Sequence, residues 1–272
     1  MKTFVKKHPV AYGLVLGYGC SLLFVLLEYA LVTTGLSECG VWVDSCLRIV
    51  FGAAALVLLK IFYQDRFKSL FTRHIPAKTW LILIPFGVYC VVELLYFTIA
   101  KAYTMQYFGL FLAVCVQQLA TGLLEESASR GLVMSGMLDK WKDSVKGRIG
   151  MVALSGVLFG TLHLWNVLFS NDWESCLWQA LYTALWGMFL AAVYWYAGNL
   201  LLCMSLHAVW DIAIRIWDYF CVGINSGLML TCIRTAEDII ELGIFPILAI
   251  VICIKYKPRE KKTISWRYSK KS

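Results

Sequence analysis

The chain has 272 residues, of which 60% are hydrophobic and 15% charged, with a formal net charge of +8 and a mean hydropathy of +0.70. Soluble domains run near 45–50% apolar and about 25% charged, and roughly 270 residues cannot enclose a core large enough to hide this much apolar surface from water. The composition excludes a soluble enzyme, a nucleic-acid module and a disordered chain, and fits an all-α, polytopic integral membrane protein.

A membrane helix needs about 20 mainly apolar residues. By that measure the chain holds eight spans, at 9–34, 44–63, 80–100, 108–138, 149–170, 176–197, 199–220 and 239–255. The first apolar stretch is too long for a cleavable signal peptide, and no small-residue cleavage site follows it. The tightest turn is expected at Gly198-Asn199, between the sixth and seventh spans. Trp80, Trp141, Trp173 and Trp266 lie near the proposed membrane edges, where indoles prefer to sit. With no internal repeat, low-complexity stretch or separate soluble domain, residues 1–272 read as one membrane domain ending in a basic tail, 255–272.

The basic residues give the orientation. Segments 1–8, 64–79, 139–148 and 255–272 hold 19 of the 25 Lys and Arg, whereas the loops on the opposite side hold two, Lys101 and Arg234. This bias places both termini in the cytoplasm. Cysteine reporters at positions 5 and 268 should therefore resist a membrane-impermeant label in intact cells, and labelling of either end would overturn the topology. The short basic clusters form no continuous stripe, so the positive charge is topological and no nucleic-acid partner is implied. Most of the ten cysteines lie in apolar segments, where Cys behaves as a small hydrophobe. None forms a Cys-x-x-Cys pair, and Cys39 and Cys46, which share a loop, are the one candidate disulfide.

The informative residues are those that do not belong in a bilayer. Ionisable side chains at mid-membrane cost several kcal/mol each and usually face the bundle interior. In the fourth span, Glu126 and Arg130 are four apart on one face and can pair, while Glu125 points about 100° away. The bland reading is an ion-pair staple with one snorkelling glutamate. In the fifth span Phe159 lies one turn before His163 and could wall the same cavity; a lone buried His is more often a packing residue. In the seventh span His207 and Asp211 share a face, and Arg215, four residues further on, could simply neutralise Asp211. Counted from the span ends, Glu125, His163 and His207 all project to the middle half of a ~30 Å core. Two His, a spare carboxylate and a second acid at one depth make a hydrolytic set. Glu plus two His is equally a catalytic zinc set.

Glu125-Glu126-x-x-x-Arg130, then Phe159-x-x-x-His163, then His207-x-x-x-Asp211, in that order on membrane spans, resemble the CPBP family. This family comprises type II CAAX prenyl endopeptidases and the bacteriocin-processing or self-immunity Abi proteins. The resemblance covers roughly residues 108–220, which would form the catalytic core. It implies an intramembrane endopeptidase in which Glu125 and His163 activate water, His207 and Asp211 stabilise the oxyanion, and Glu126, Arg130 and Phe159 support the site. Many members carry Asn where this chain has Asp211. An ionised Asp cannot donate a hydrogen bond, so an oxyanion role weakens and a metal-ligand role becomes easier.

The family is described both as metalloproteases and as metal-free glutamate peptidases. With only two His available, no Cys in the motifs and Glu126 committed to Arg130, the preferred reading here requires no cofactor. Zinc or another divalent metal on Glu125, His163, His207 and Asp211 stays open. His-Glu-x-x-His, Gly-x-Gly-Asp and Tyr-Asp motifs are absent from the spans. The partners implied are the lipid bilayer and a membrane-associated peptide or protein substrate. A short chain without large loops points to a multi-pass protein of a bacterial plasma membrane. The alternatives are a non-catalytic immunity or signalling-regulator protein and, third, a small transporter using Glu28, Glu93, Asp218 and Arg215.

Overall fold

The computed structural model describes residues 8–34, 40–100, 106–220 and 228–256, and every regular element among them is helical. α1 (Pro9–Thr33) begins on a proline, whose missing N–H is no loss in a first turn. α2 (Gly40–Phe62) is followed by two short helices, α3 (Gln64–Thr72) and α4 (Ala77–Ile82), and then α5 (Ile84–Ala100). α6 (Phe108–Glu126) passes without a break through a π-helical segment, Ser127–Val133, into α7 (Met134–Trp141). α8 (Val145–His163) gives way to a 3-10 turn, Leu164–Asn166, and α9 (Val167–Ser170). The remaining elements are α10 (Trp173–Ala197), α11 (Leu200–Phe220), α12 (Leu228–Asp238), a second π segment Ile239–Ile244, and α13 (Phe245–Lys255).

α10 is the hub. Its residues Phe189 to Ala197 are all buried, the signature of a helix that is hydrophobic all round. Trp186 stacks on Trp210 of α11 at 5.0 Å, lies 5.0 Å from Phe245 of α13 and 5.6 Å from Phe86 of α5, which ties four helices into one aromatic core. Large apolar side chains point outward instead on the peripheral helices, among them Val15, Val50, Leu119, Val157 and Ile247. Apolar exposure spread over this many helices would aggregate in water and suits contact with lipid. The protein is an all-α, multi-pass membrane helix bundle.

Close backbone approach sets where the site-bearing helices lie. A Cβ on Gly156 would come within 2.5 Å of the Ala184 carbonyl, and one on Gly160 within 2.3 Å of the Ala180 carbonyl, so α8 and α10 meet through a small-residue stripe. Gly122 likewise lets α6 sit against Met204 of α11. Gly160→Leu should force the pair apart and remove at least about 2–3 kcal/mol of stability. A thermal-shift measurement on purified protein checks this, and an unchanged melting temperature would show that the stripe is not a tight contact.

The eight expected spans compare with the structure as follows. Five helical stretches are long and apolar enough to cross a bilayer: Pro9–Thr33, Gly40–Phe62, Phe108–Leu138, Val145–Ser170 and Trp173–Ala197. The expected span 80–100 is divided at Leu83, just before Pro85, because a proline cannot donate the helical hydrogen bond. Span 149–170 starts earlier, at Val145, where Ser144 caps the helix by accepting from Gly147 N at 2.9 Å, and its α-helix stops at His163. Span 199–220 corresponds to α11, and 239–255 to the second π segment plus α13. Segments expected as connections, 64–79 and 221–238, contain α3, the start of α4, and α12. The Gly198-Asn199 turn has a definite chemistry. Gly198 takes the left-handed conformation (φ 64°) and closes on the Tyr194 carbonyl, while Asn199 Oδ1 accepts from Leu202 N at 3.0 Å to start α11. The termini, Cys39, Lys101 and the tail 257–272 lie outside the described residues, and Cys46 is an exposed free thiol.

Candidate active site

The two adjacent glutamates end α6, immediately before the π segment. One extra residue per turn there changes which face the following side chains present. The Ser129 hydroxyl bonds back to the Glu125 carbonyl at this point. Glu126 and Arg130 are fully buried and joined, Arg130 Nη1 donating to Glu126 Oε1 at 2.9 Å. Arg130 Nη2 donates to the Gly187 carbonyl of α10 at 2.8 Å, and its guanidinium lies 4.7 Å over the Phe159 ring. The arginine therefore clamps α6, α8 and α10 together behind the site.

Glu126 has a second partner that helical spacing could not reveal. Its Oε1 also accepts from His207 Nδ1 at 2.8 Å, across 81 residues of chain. With Nδ1 occupied, His207 Nε2 faces Glu125 Oε2 at 3.6 Å and Asp211 Oδ2 at 3.5 Å. The two neighbouring glutamates thus address the two nitrogens of one imidazole. Glu126 fixes the ring, while Glu125, whose side chain is 20% exposed, lines the cavity and makes no hydrogen bond on its buried Oε2.

His163 ends α8. Its Nδ1 lies 3.1 Å from the Phe159 carbonyl, which can only accept, so Nδ1 carries the hydrogen and Nε2 of the neutral ring bears a lone pair. The Phe159 ring stands edge-on to both His163 (5.1 Å) and His207 (5.6 Å), separating the two imidazoles and setting their planes.

These residues share one cavity of about 640 Å³, with Glu125, Phe159, His163, His207 and Asp211 in its wall. Glu126 and Arg130 sit behind it. Arg215 lines the same space and lies near enough to Asp211 to interact electrostatically. A second polar group reaches the wall through Glu28, Arg48 and Gln117, of which the sequence reading named only Glu28 as a candidate. Arg48 of α2 bridges Asp44 at 2.7 Å and Glu28 of α1 at 3.2 Å, and Gln117 of α6 donates to Asp44 at 2.5 Å. Asp44 and Arg48 show the same i, i+4 spacing as Glu126 and Arg130. That signal was available, but it lay outside the three motifs.

The donor atoms bear directly on whether the site suits a metal. His207 Nδ1 is taken by Glu126 and His163 Nδ1 by a backbone carbonyl. Among the described residues, no three His, Cys, Asp or Glu side chains are arranged to hold a metal ion. The described residues thus form no three-ligand centre as placed, although the bonded Nδ1 atoms leave both Nε2 atoms available in the manner of ligating histidines.

Residues 107–213 match the sequence profile of the family described as type II CAAX prenyl endopeptidase Rce1-like. No curated protein and no solved structure matches the chain. The matched segment runs from the start of α6 to just beyond Asp211, and so spans all three motif helices of the cavity. Over the residues that build this site the chain is similar to that family, which is consistent with the CPBP resemblance of the three motifs.

Proposed function

We propose that the protein is an intramembrane endopeptidase that hydrolyses a peptide bond of a membrane-associated protein or peptide with a water activated by Glu125 and His163. The observation that carries this reading is the convergence of two acid–base units, Glu125 with His163 and His207 with Asp211, on one cavity. Glu125, whose Oε2 makes no hydrogen bond and lies 3.6 Å from His207 Nε2, is near enough to His163 to interact electrostatically, and the Nε2 lone pair of His163 is left out of its bond to the Phe159 carbonyl. Such a pair can take a proton from water as it attacks a carbonyl carbon. His207, held on Nδ1 by Glu126, as imidazolium offers Nε2–H to the developing oxyanion. Asp211, 3.5 Å from that nitrogen, holds the imidazolium in place instead of donating to the oxyanion, because a carboxylate is acceptor-only. The proton then passes to the leaving amine as the carbon–nitrogen bond breaks.

Incubation of reconstituted protein with a library of membrane-anchored peptides in ¹⁸O-water tests this. New carboxyl ends carrying one heavy oxygen are expected, with and without a strong chelator. Loss of cleavage on chelation, restored by stoichiometric zinc, would replace glutamate catalysis by metal catalysis. Absence of new labelled ends throughout would favour the immunity or regulator reading.

A further inference from the structure

The cavity extends beyond the catalytic wall, and its far side is strongly acidic. Of its lining residues seven are Asp or Glu and three are Arg, and no Lys contributes among the described residues. Two of the carboxylates, Glu125 and Asp211, belong to the proposed catalytic group, and Glu28 is bridged to Arg48. The other four, Glu93 of α5, Glu237 and Asp238 of α12 and Glu241 of the second π segment, gather on one side near enough to interact electrostatically. Asp238 accepts from Tyr182 of α10 at 3.2 Å.

Glu237 supplies the independent sign of a ligand. It is 5% exposed and lines the cavity, and its Oε1 has no hydrogen-bond partner. The cation set against its other oxygen is Arg234, 3.5 Å away with a side chain 60% exposed. A buried carboxylate oxygen needs a donor. The four acids do not form a metal cage, since no metal-holding group occurs among the described residues. They are spread over three elements, which suits a long, flexible cationic side chain better than a compact ion.

We propose that Glu93, Glu237, Asp238 and Glu241 form a subsite for a lysine or arginine side chain of the substrate, so that the protein selects cationic polypeptide segments. This rests on the peptidase reading. A peptide whose scissile bond lies at Glu125 and His163 shares the cavity with this wall, so one chain can occupy both.

The test uses fluorescent N-palmitoyl decapeptides of Ala and Leu, with Lys, Gln or Glu moved through each position. Binding is measured to full-length Glu125→Gln protein in phosphatidylcholine nanodiscs, and cleavage is measured separately with the wild type. A Lys probe should bind about tenfold more tightly than its Gln counterpart at one or two positions, with the advantage shrinking as salt rises. Glu237→Gln should erase the preference. Because that variant could lose its fold, Glu93→Gln with Glu241→Gln, which keeps Glu237, should reduce the preference independently. Equal binding of Lys and Gln probes, or a preference that survives in both folded variants, would overturn the subsite. Cleavage without Lys preference would also remove the subsite but keep the peptidase, whereas Lys preference without any Glu125-dependent cleavage would keep the subsite and remove the peptidase.

Discussion

Glu125→Gln is expected to abolish peptide hydrolysis while leaving the protein folded. Loss of a general base costs about 10²–10⁴-fold. Gln also keeps the shape of Glu, so packing should be unchanged. The carboxylate faces the cavity and its Oε2 makes no hydrogen bond that the fold depends on. His163→Ala should fall within the same range, because the open Nε2 is lost while the backbone of α8 is untouched. Turnover and thermal unfolding measured on the same preparations check both variants. Residual turnover above about a tenth of wild type in Glu125→Gln, far above what loss of a general base allows, would move the base elsewhere.

The second large effect concerns Arg130. Its guanidinium is fully buried, with Glu126, the Gly187 carbonyl and the Phe159 ring around it. Breaking a buried pair by removing one partner costs about 3–5 kcal/mol, so Arg130→Ala should sharply lower the amount of folded protein in the membrane. Glu126 carries more than the pair. Because its Oε1 also holds His207, Glu126→Gln should lower activity beyond its effect on stability, as His207 Nε2 loses its aim. In a double-mutant cycle, Glu126→Gln with Arg130→Met should cost clearly less stability than the two single changes added. Strict additivity, with full expression of Arg130→Ala, would mean that the two are not partners.

The parts of this fold legible in the sequence are those written in short-range patterns. Apolar runs of membrane length marked Pro9–Thr33, Gly40–Phe62 and Trp173–Ala197 to within a few residues, because lipid contact demands uniform apolarity. The i, i+4 spacing marked Glu126 with Arg130 and His207 with Asp211, because a helix brings those pairs onto one face. Hydropathy does not encode the two π segments, since Ser127–Val133 looks like any other small-residue stretch of a span. Nor can spacing show that Glu126 reaches His207, a contact set by how α6 and α11 pack through Gly122. The Arg48 network on Glu28, Asp44 and Gln117 joins three helices for the same reason, and the acidic wall draws on α5, α12 and the second π segment. Interhelical polar contacts depend on tertiary placement, and that is where the sequence was silent.

The most direct measurement is a comparison of membrane-associated peptides in cells carrying the wild-type chain or Glu125→Gln at equal abundance. Intramembrane proteolysis by Glu125 predicts a defined set of cleavage products present with the wild type and missing with the variant, their uncleaved precursors accumulating in its place. Identical peptide populations in the two strains, with both proteins folded and in the membrane, would contradict it.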